Sequence, residues 1–196
     1  MKLTAYKFLL CCPVLLMSLL SAQTQTLRGK VEDVQNTQNQ FFLDCTNLPV
    51  VSSALNLNAW VGQQAILQVV NVGTATAPVL RIDAAVATTK VFDMGNLRLG
   101  QGARWEVDAP AGSFAFMFLN FTSLTSYTPF GAFGTWLLGN GAATIASGVT
   151  NSQNQFEITY TMPVIPALVG VSMSSQALVG DHGTWFFSNP DCKSIE

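Results

Sequence analysis

Beyond residue 22 the chain is a succession of short runs rich in Val, Ile, Phe and Thr, each closed by Gly, Asn or Pro. Apolar residues almost nowhere recur at helical spacing. Runs of about four to eight such residues are too short for packed helices and suit strands. Leu27 to Val34 alternates cleanly, with Leu27, Gly29, Val31 and Asp33 on one face and Arg28, Lys30, Glu32 and Val34 on the other. Gln40 to Thr46 reads as its hairpin partner, and Gln64 to Val72 and Val79 to Thr88 as two further strands. Between them, Leu48 to Gly62 carries short apolar pieces and a turn. Four or five strands in this length suit a small Greek-key barrel.

The second half predicts seven strands, at residues 104–108, 113–121, 135–138, 144–149, 156–162, 170–179 and 184–188, with punctuation in every gap. Short strands at this spacing suggest two packed sheets. The expected fold is therefore all-β: a small OB-like barrel over 23–90, then an Ig-like or jelly-roll-type β-sandwich over 91–196. The pattern breaks between Thr88 and Asn96.

Residues 1–22 read as a signal peptide. Lys2 and Lys7 precede an apolar run from Phe8 to Leu20, and Ser21-Ala22 offers small residues for cleavage before Gln23. The apolar run is shorter than a bilayer-spanning helix. Cys11 and Cys12 lie too early in it for lipid attachment. The chain is expected outside the cytoplasm, secreted or held at the cell surface or periplasm, with no integral span after cleavage. The candidate strands are also mostly shorter than those of an outer-membrane barrel.

Two of nine basic residues lie in the leader, leaving seven against eleven acidic ones, a formal charge of −4. A weakly acidic chain without a basic cluster lacks the electrostatic footprint of a nucleic-acid binder. The two remaining cysteines, Cys45 and Cys192, most simply pair in an oxidising compartment, with two buried thiols as the other reading. From Ala109 to Phe156 there is no Asp, Glu, Lys or Arg at all. Ser, Thr, Asn and Gln coat that stretch. It describes either a neutral hydroxyl-rich surface or a face that meets another neutral surface, whether a second copy, a glycan or an envelope component.

Catalytic motifs are sparse. His182 is the sole histidine, sits in the turn Gly180-Asp181-His182-Gly183 and has no Gly-x-Ser-x-Gly partner. One histidine, two cysteines and scattered carboxylates do not compose a zinc site. Asp181 and Asp191 lack a calcium-loop pattern. Glu106, Asp108 and Glu157 are the carboxylates from which a glycosidase pair would be drawn; Glu106 and Asp108 share a strand face, as solvated residues do. Gly95 to Gly102 lacks the Lys-Ser/Thr of a phosphate loop. Asn120-Phe121-Thr122 matches a glycosylation sequon. Asn36 to Phe41 echoes Asn151 to Phe156, the same turn chemistry used twice. Of the tryptophans at 60, 105, 136 and 185, most are expected in the core. Tyr127 and Trp136, beside Pro129-Phe130-Gly131, are expected to be exposed, and with Phe130 they form the candidate binding site. No metal or cofactor is expected.

Five stretches carry a resemblance. Gly95-Asn96-Leu97-Arg98-Leu99-Gly100 and Gly131-Ala132-Phe133-Gly134-Thr135 come first. The longest is Met162-Pro163-Val164-Ile165-Pro166-Ala167-Leu168-Val169-Gly170, followed by Ser175-Gln176-Ala177-Leu178-Val179 and Phe187-Ser188-Asn189. Together they resemble an uncharacterised β-sandwich domain of large exported proteins from planctomycete-like and myxobacterial genomes. That resemblance implies a sandwich and export, and no activity. The chain departs from it at Asp191 to Ile195, where the family runs into a last strand. Gly29-Lys30-Val31 and Val61-Gly62-Gln63 are similar to OB-type barrels. The functional expectation is an exported, non-catalytic binding or structural module, glycan-binding or self-assembling. The alternative is a secreted hydrolase acting on glycans or esters through carboxylates or His182.

Overall fold

The computed structural model describes residues 24–33, 40–121 and 126–196, and over these the chain is all-β. The expected signal peptide, Asn36 to Asn39 of the first Asn-Thr-Gln-Asn-Gln turn and Thr122 of the sequon lie outside the described residues. Five strands form a closed barrel: β1 (Gln25–Asp33), β2 (Phe41–Leu43), β3 (Pro49–Val51), β4 (Gln64–Asn71) and β5 (Leu80–Ala87). Their order is β1-β2-β3-β5-β4, with β3 parallel to β5 and β4 closing back on β1. This is a five-stranded barrel of the OB type. Leu27 and Val31 of β1, Leu67 and Val69 of β4, and Leu80 and Ile82 of β5 point inward and are buried. A register shift between Gln68 and Val69 breaks the alternation, so that Val69 and Val70 are both buried. A 3-10 turn at Leu57–Trp60, whose Asn56 side chain accepts from the Asn58 N–H, drops Leu57 into the barrel core.

The second half adds β6 (Phe92–Met94), β7 (Gly102–Asp108), β8 (Phe114–Asn120), β9 (Thr128–Pro129), β10 (Thr135–Trp136), β11 (Ala143–Val149), β12 (Gln155–Thr161), β13 (Ser172–Asp181), β14 (Thr184–Phe187) and β15 (Asp191–Ser194). One sheet runs β11-β8-β13-β14, with β15 also on β13; the other runs β12-β7-β6. Alternate residues of each meet in a second core: Phe92, Met94, Trp105 and Val107 from one sheet, Ala115, Met117, Ala177 and Val179 from the other. The Trp105 indole N–H donates to Ser175 Oγ across the two sheets. The tail at Asp191, read as a departure from a final strand, does form one. It pairs with the first part of β13, in register Ser175↔Asp191. Its polar residues conceal this in the sequence, because it is a short edge strand.

Two connections join barrel and sandwich. Cys45, in the turn after β2, is bonded to Cys192 of β15, 147 residues away, with Cα atoms 5.5 Å apart. Beside it, the Asn189 side chain accepts the N–H groups of Val91 and Phe92 and donates to the Phe92 carbonyl at 2.8 Å. Asp191, 6% exposed, accepts the Met94 N–H and the Lys90 ammonium. Burial works against charge on Lys90, but its hydrogen bonds to Asp191 and Asp93 outweigh that and hold the ammonium above the ordinary lysine range.

The second connection is the segment 126–138, containing β9 and β10. It crosses the outer face of the larger sheet and sends Leu137 and Leu138 into the barrel core, where both are buried. Buried Gln176 of β13 holds it: its amide N–H groups donate to the carbonyls of Thr135 and Ser188, and its oxygen accepts the Leu137 N–H at 3.1 Å. Asn120 donates to the Leu138 carbonyl. Gly134, at φ +90°, passes so close to β1 that a Cβ would lie 2.8 Å from the Thr26 carbonyl oxygen. Only glycine meets both conditions.

Two outcomes follow. Reducing the Cys45–Cys192 bond removes up to about 5 kcal/mol in the chain-entropy model, and thermal melts with and without reductant should differ by roughly 10–20 °C; coincident melts contradict a bridge of this kind. Gly134→Ala should cost about 2 kcal/mol or more, through backbone strain and the clash with Thr26, read as a lowered urea midpoint.

Candidate functional site

The two outer faces of the sandwich differ in chemistry. On β12-β7-β6 the outward residues include Asp93, Arg104, Glu106, Asp108 and Glu157, with Asp93, Glu106 and Glu157 side by side across the three strands. Arg104 bonds both Glu106 and, at 3.0 Å, Glu157. Burial, and then the neighbouring carboxylates Asp108, Glu157 and Asp93, push the Glu106 carboxyl above the ordinary range, against the pull of Arg104. This is a charged face: Arg104, Asp108 and Glu157 are exposed, whereas Glu106, expected on a solvated face, is buried and crowded by carboxylates.

The outer face of β11-β8-β13-β14 carries no such charge. Phe114, Phe116 and Phe118 alternate outward along β8, because Ala115 and Met117 fill the core. Register places Phe116 beside Leu178 and Phe114 beside Gly180 on β13, and Gly180 in turn beside Trp185 on β14. The Trp185 indole lies over Gly180, where a Cβ would come within 2.7 Å of the ring. It stacks on Phe114, with centroids 6.5 Å apart and planes 19° from parallel, and meets Phe116 at 6.1 Å. The series continues past the crossing segment. Phe118 meets Trp136 edge-on at 5.0 Å, Trp136 meets Phe187 at 5.4 Å, and Phe187 meets Phe130 at 5.6 Å.

Of the residues expected to bind, Phe130 is exposed, while Trp136 and Tyr127 are half-buried and pack against the barrel core cluster. Trp136 also donates its indole N–H to the Gly139 carbonyl. Both serve the junction, because the segment that carries them is pinned between the two cores. The open end of the series is elsewhere, at Phe114 (54% exposed) and half-buried Trp185. No spacing in the sequence flags this pair. They lie 71 positions apart and meet only through the β8-β13-β14 register.

At this end a hollow of about 460 Å³ is lined by Gly112, Phe114, Gly180, His182, Gly183 and Trp185, among others. His182 and Gly183 form the two-residue turn of the β13–β14 hairpin, both at positive φ, which suits this turn type. Asp181 Oδ1 is shared by the His182 ring nitrogen and, at 3.2 Å, the Ser113 hydroxyl. Ser113 and His182 thus bond to the same carboxylate oxygen, whereas an activated serine needs its hydroxyl on the base. Ala111, which also lines the hollow, is held by the neighbouring turn: Asn154, at φ 66°, accepts its N–H through the side chain. Among the described residues the one group close enough to hold a metal ion is Asp44, Cys45 and Cys192, and the disulfide occupies both of its sulfurs. No helix among the described residues is long and apolar enough to cross a membrane.

Comparison with protein-family models, curated proteins and solved structures finds no match to this chain.

Because the Glu106 carboxyl titrates above its unfolded range, the folded state holds more protons in that window. Its contribution to stability therefore falls as pH rises through the window. Glu106→Gln should flatten the loss of stability between the ordinary glutamate range and neutrality, measured by chemical denaturation at a series of pH values. A parallel, unflattened profile contradicts the crowding described.

Proposed function

We propose that this chain is an exported, non-catalytic binding module whose ligand is a neutral glycan held on the open aromatic face. The observation that carries the reading is the stacked Phe114–Trp185–Phe116 group on an uncharged sheet face, beside a hollow edged by His182. Sugar rings present flat arrays of C–H groups that pack on aromatic faces, while their hydroxyls need neutral or polar partners around the rim. Ser147 of β11, opposite Phe116, and the His182 ring in the hairpin turn are exposed at this face or its edge and supply such partners. The leader pattern and the disulfide support export. The placement of the carboxylates supports binding over hydrolysis: Glu106, Asp108 and Glu157 lie on the other sheet, and among the described residues no carboxylate lines the hollow.

The test is retention on insoluble neutral polysaccharides, with gel filtration on the same preparation. Retention is expected for the wild type, with Trp185→Ala weakening it about tenfold, close to 1.4 kcal/mol. Phe130→Ala should have a smaller effect. A chain that elutes as a discrete oligomer and ignores every polysaccharide would assign the aromatic face to self-association instead.

A further inference from the structure

The sandwich has a second concavity, unrelated to the aromatic face. Strands β11 and β12 are the free edges of the two facing sheets. Near one end of these edges the Phe156 ring lies directly against Gly148, and the two sheets meet. Near the other end, where β11 shifts register between Thr144 and Ala146, a cleft of about 650 Å³ opens between them. Its lining includes Trp105, Leu119, Ile145, Met162, Leu168 and Met173. Trp105, Met162 and Met173 are buried members of the sandwich core, so the cleft reaches into the core rather than lying on the surface. Among the described residues no acidic or basic side chain lines it, and its side-chain hydroxyls are those of exposed Thr144, Tyr160 and Thr161. The loop at 163–170, which contributes Pro163 and Leu168 to the lining, also holds Val164, Ile165 and Val169 in water at 76%, 49% and 57% exposure.

We infer that this cleft takes the hydrocarbon chain of a lipid. Its volume is that of a small-ligand site, and its wall offers nothing for a charge and little for a hydrogen bond. The occupant is therefore the apolar part of a molecule whose polar part stays outside. Two methionines in the wall adapt to a flexible chain better than branched residues do. The exposed Val164, Ile165 and Val169 extend the apolar surface beyond the lining, where a chain longer than the cleft would lie. A cleft of about 650 Å³ admits a single chain and not a folded domain.

Trp105 supplies the readout, since bromine in contact with an indole quenches its fluorescence. The probes are a long-chain fatty acid brominated at mid-chain and its uncharged glycerol monoester, both kept monomeric. Phosphatidylcholine vesicles with the same brominated chains form a third arm. Both monomeric probes should quench in a saturable way. Trp105→Phe should abolish most of that quenching and Trp185→Phe should not. Leu168→Glu, on an exposed loop and checked for folding by near-ultraviolet circular dichroism, should raise the half-quenching concentration at least about tenfold. Absence of quenching overturns the inference. So does quenching that survives both Trp105→Phe and Leu168→Glu. Quenching by vesicles alone also overturns it, and assigns the exposed loop to bilayer contact. Trp185→Ala, which removes the proposed glycan stack, should leave chain binding unchanged, so the two readings fail separately.

Discussion

The junction between barrel and sandwich depends on one buried amide. Gln176 sits in the middle of β13 on the outward side of the sheet, where an exposed position would be expected, and is 1% exposed. An amide so buried is costly unless its donors and acceptor are matched. Here they are matched by the backbone of Thr135, Leu137 and Ser188. Those bonds fix the crossing segment, and the segment in turn places Leu137 and Leu138 inside the barrel. The barrel core is thus completed by residues more than 45 positions beyond its last strand. The disulfide constrains the same junction, with Cys192 opposite Ser174, two residues before Gln176 on β13, and the Arg28 guanidinium, 4.3 Å above the Phe186 ring, adds a cation–π contact between the two halves.

This arrangement accounts for the uncharged stretch from Ala109 to Phe156. It supplies β8, β11 and the crossing segment, two of the five strands of one sheet and what lies across them. A charge on the inner part of that face would be trapped beneath the segment at 126–138, a severe desolvation cost. On the opposite sheet Arg104, Asp108 and Glu157 are exposed and collect around buried Glu106. Charge segregates with coverage. Beyond the covered part, the same aromatic series continues into solvent at Phe114 and Trp185. One set of residues thus glues the two halves together at one end and offers a neutral stacking surface at the other.

Much of the fold was legible because its signals are local. The alternation in β1, β7 and β8 and the turn chemistry at Asn151 and His182 depend only on near neighbours. The pairing of Cys45 with Cys192 was legible from the count of cysteines. Short strands such as β3, β6 and β15 were not, because three or four polar or mixed residues carry no period and are strands only through their partners. The aromatic site was half legible. Phe130 and Trp136 were marked by their loop, but a loop aromatic can turn inward as easily as outward, and Trp136 and Tyr127 turn inward onto the barrel. Phe114 and Trp185 were hidden because the register that joins them runs through three strands.

The central claim is that the neutral face of β11-β8-β13-β14 is the recognition surface, and amide hydrogen exchange with and without a soluble neutral oligosaccharide tests it most directly. Added protection should appear in 112–116 and 180–185, around the stacked Phe114 and Trp185, with 102–108 and 155–161 on the charged face unchanged. Protection confined to the charged face, or none at saturating oligosaccharide, would contradict the account.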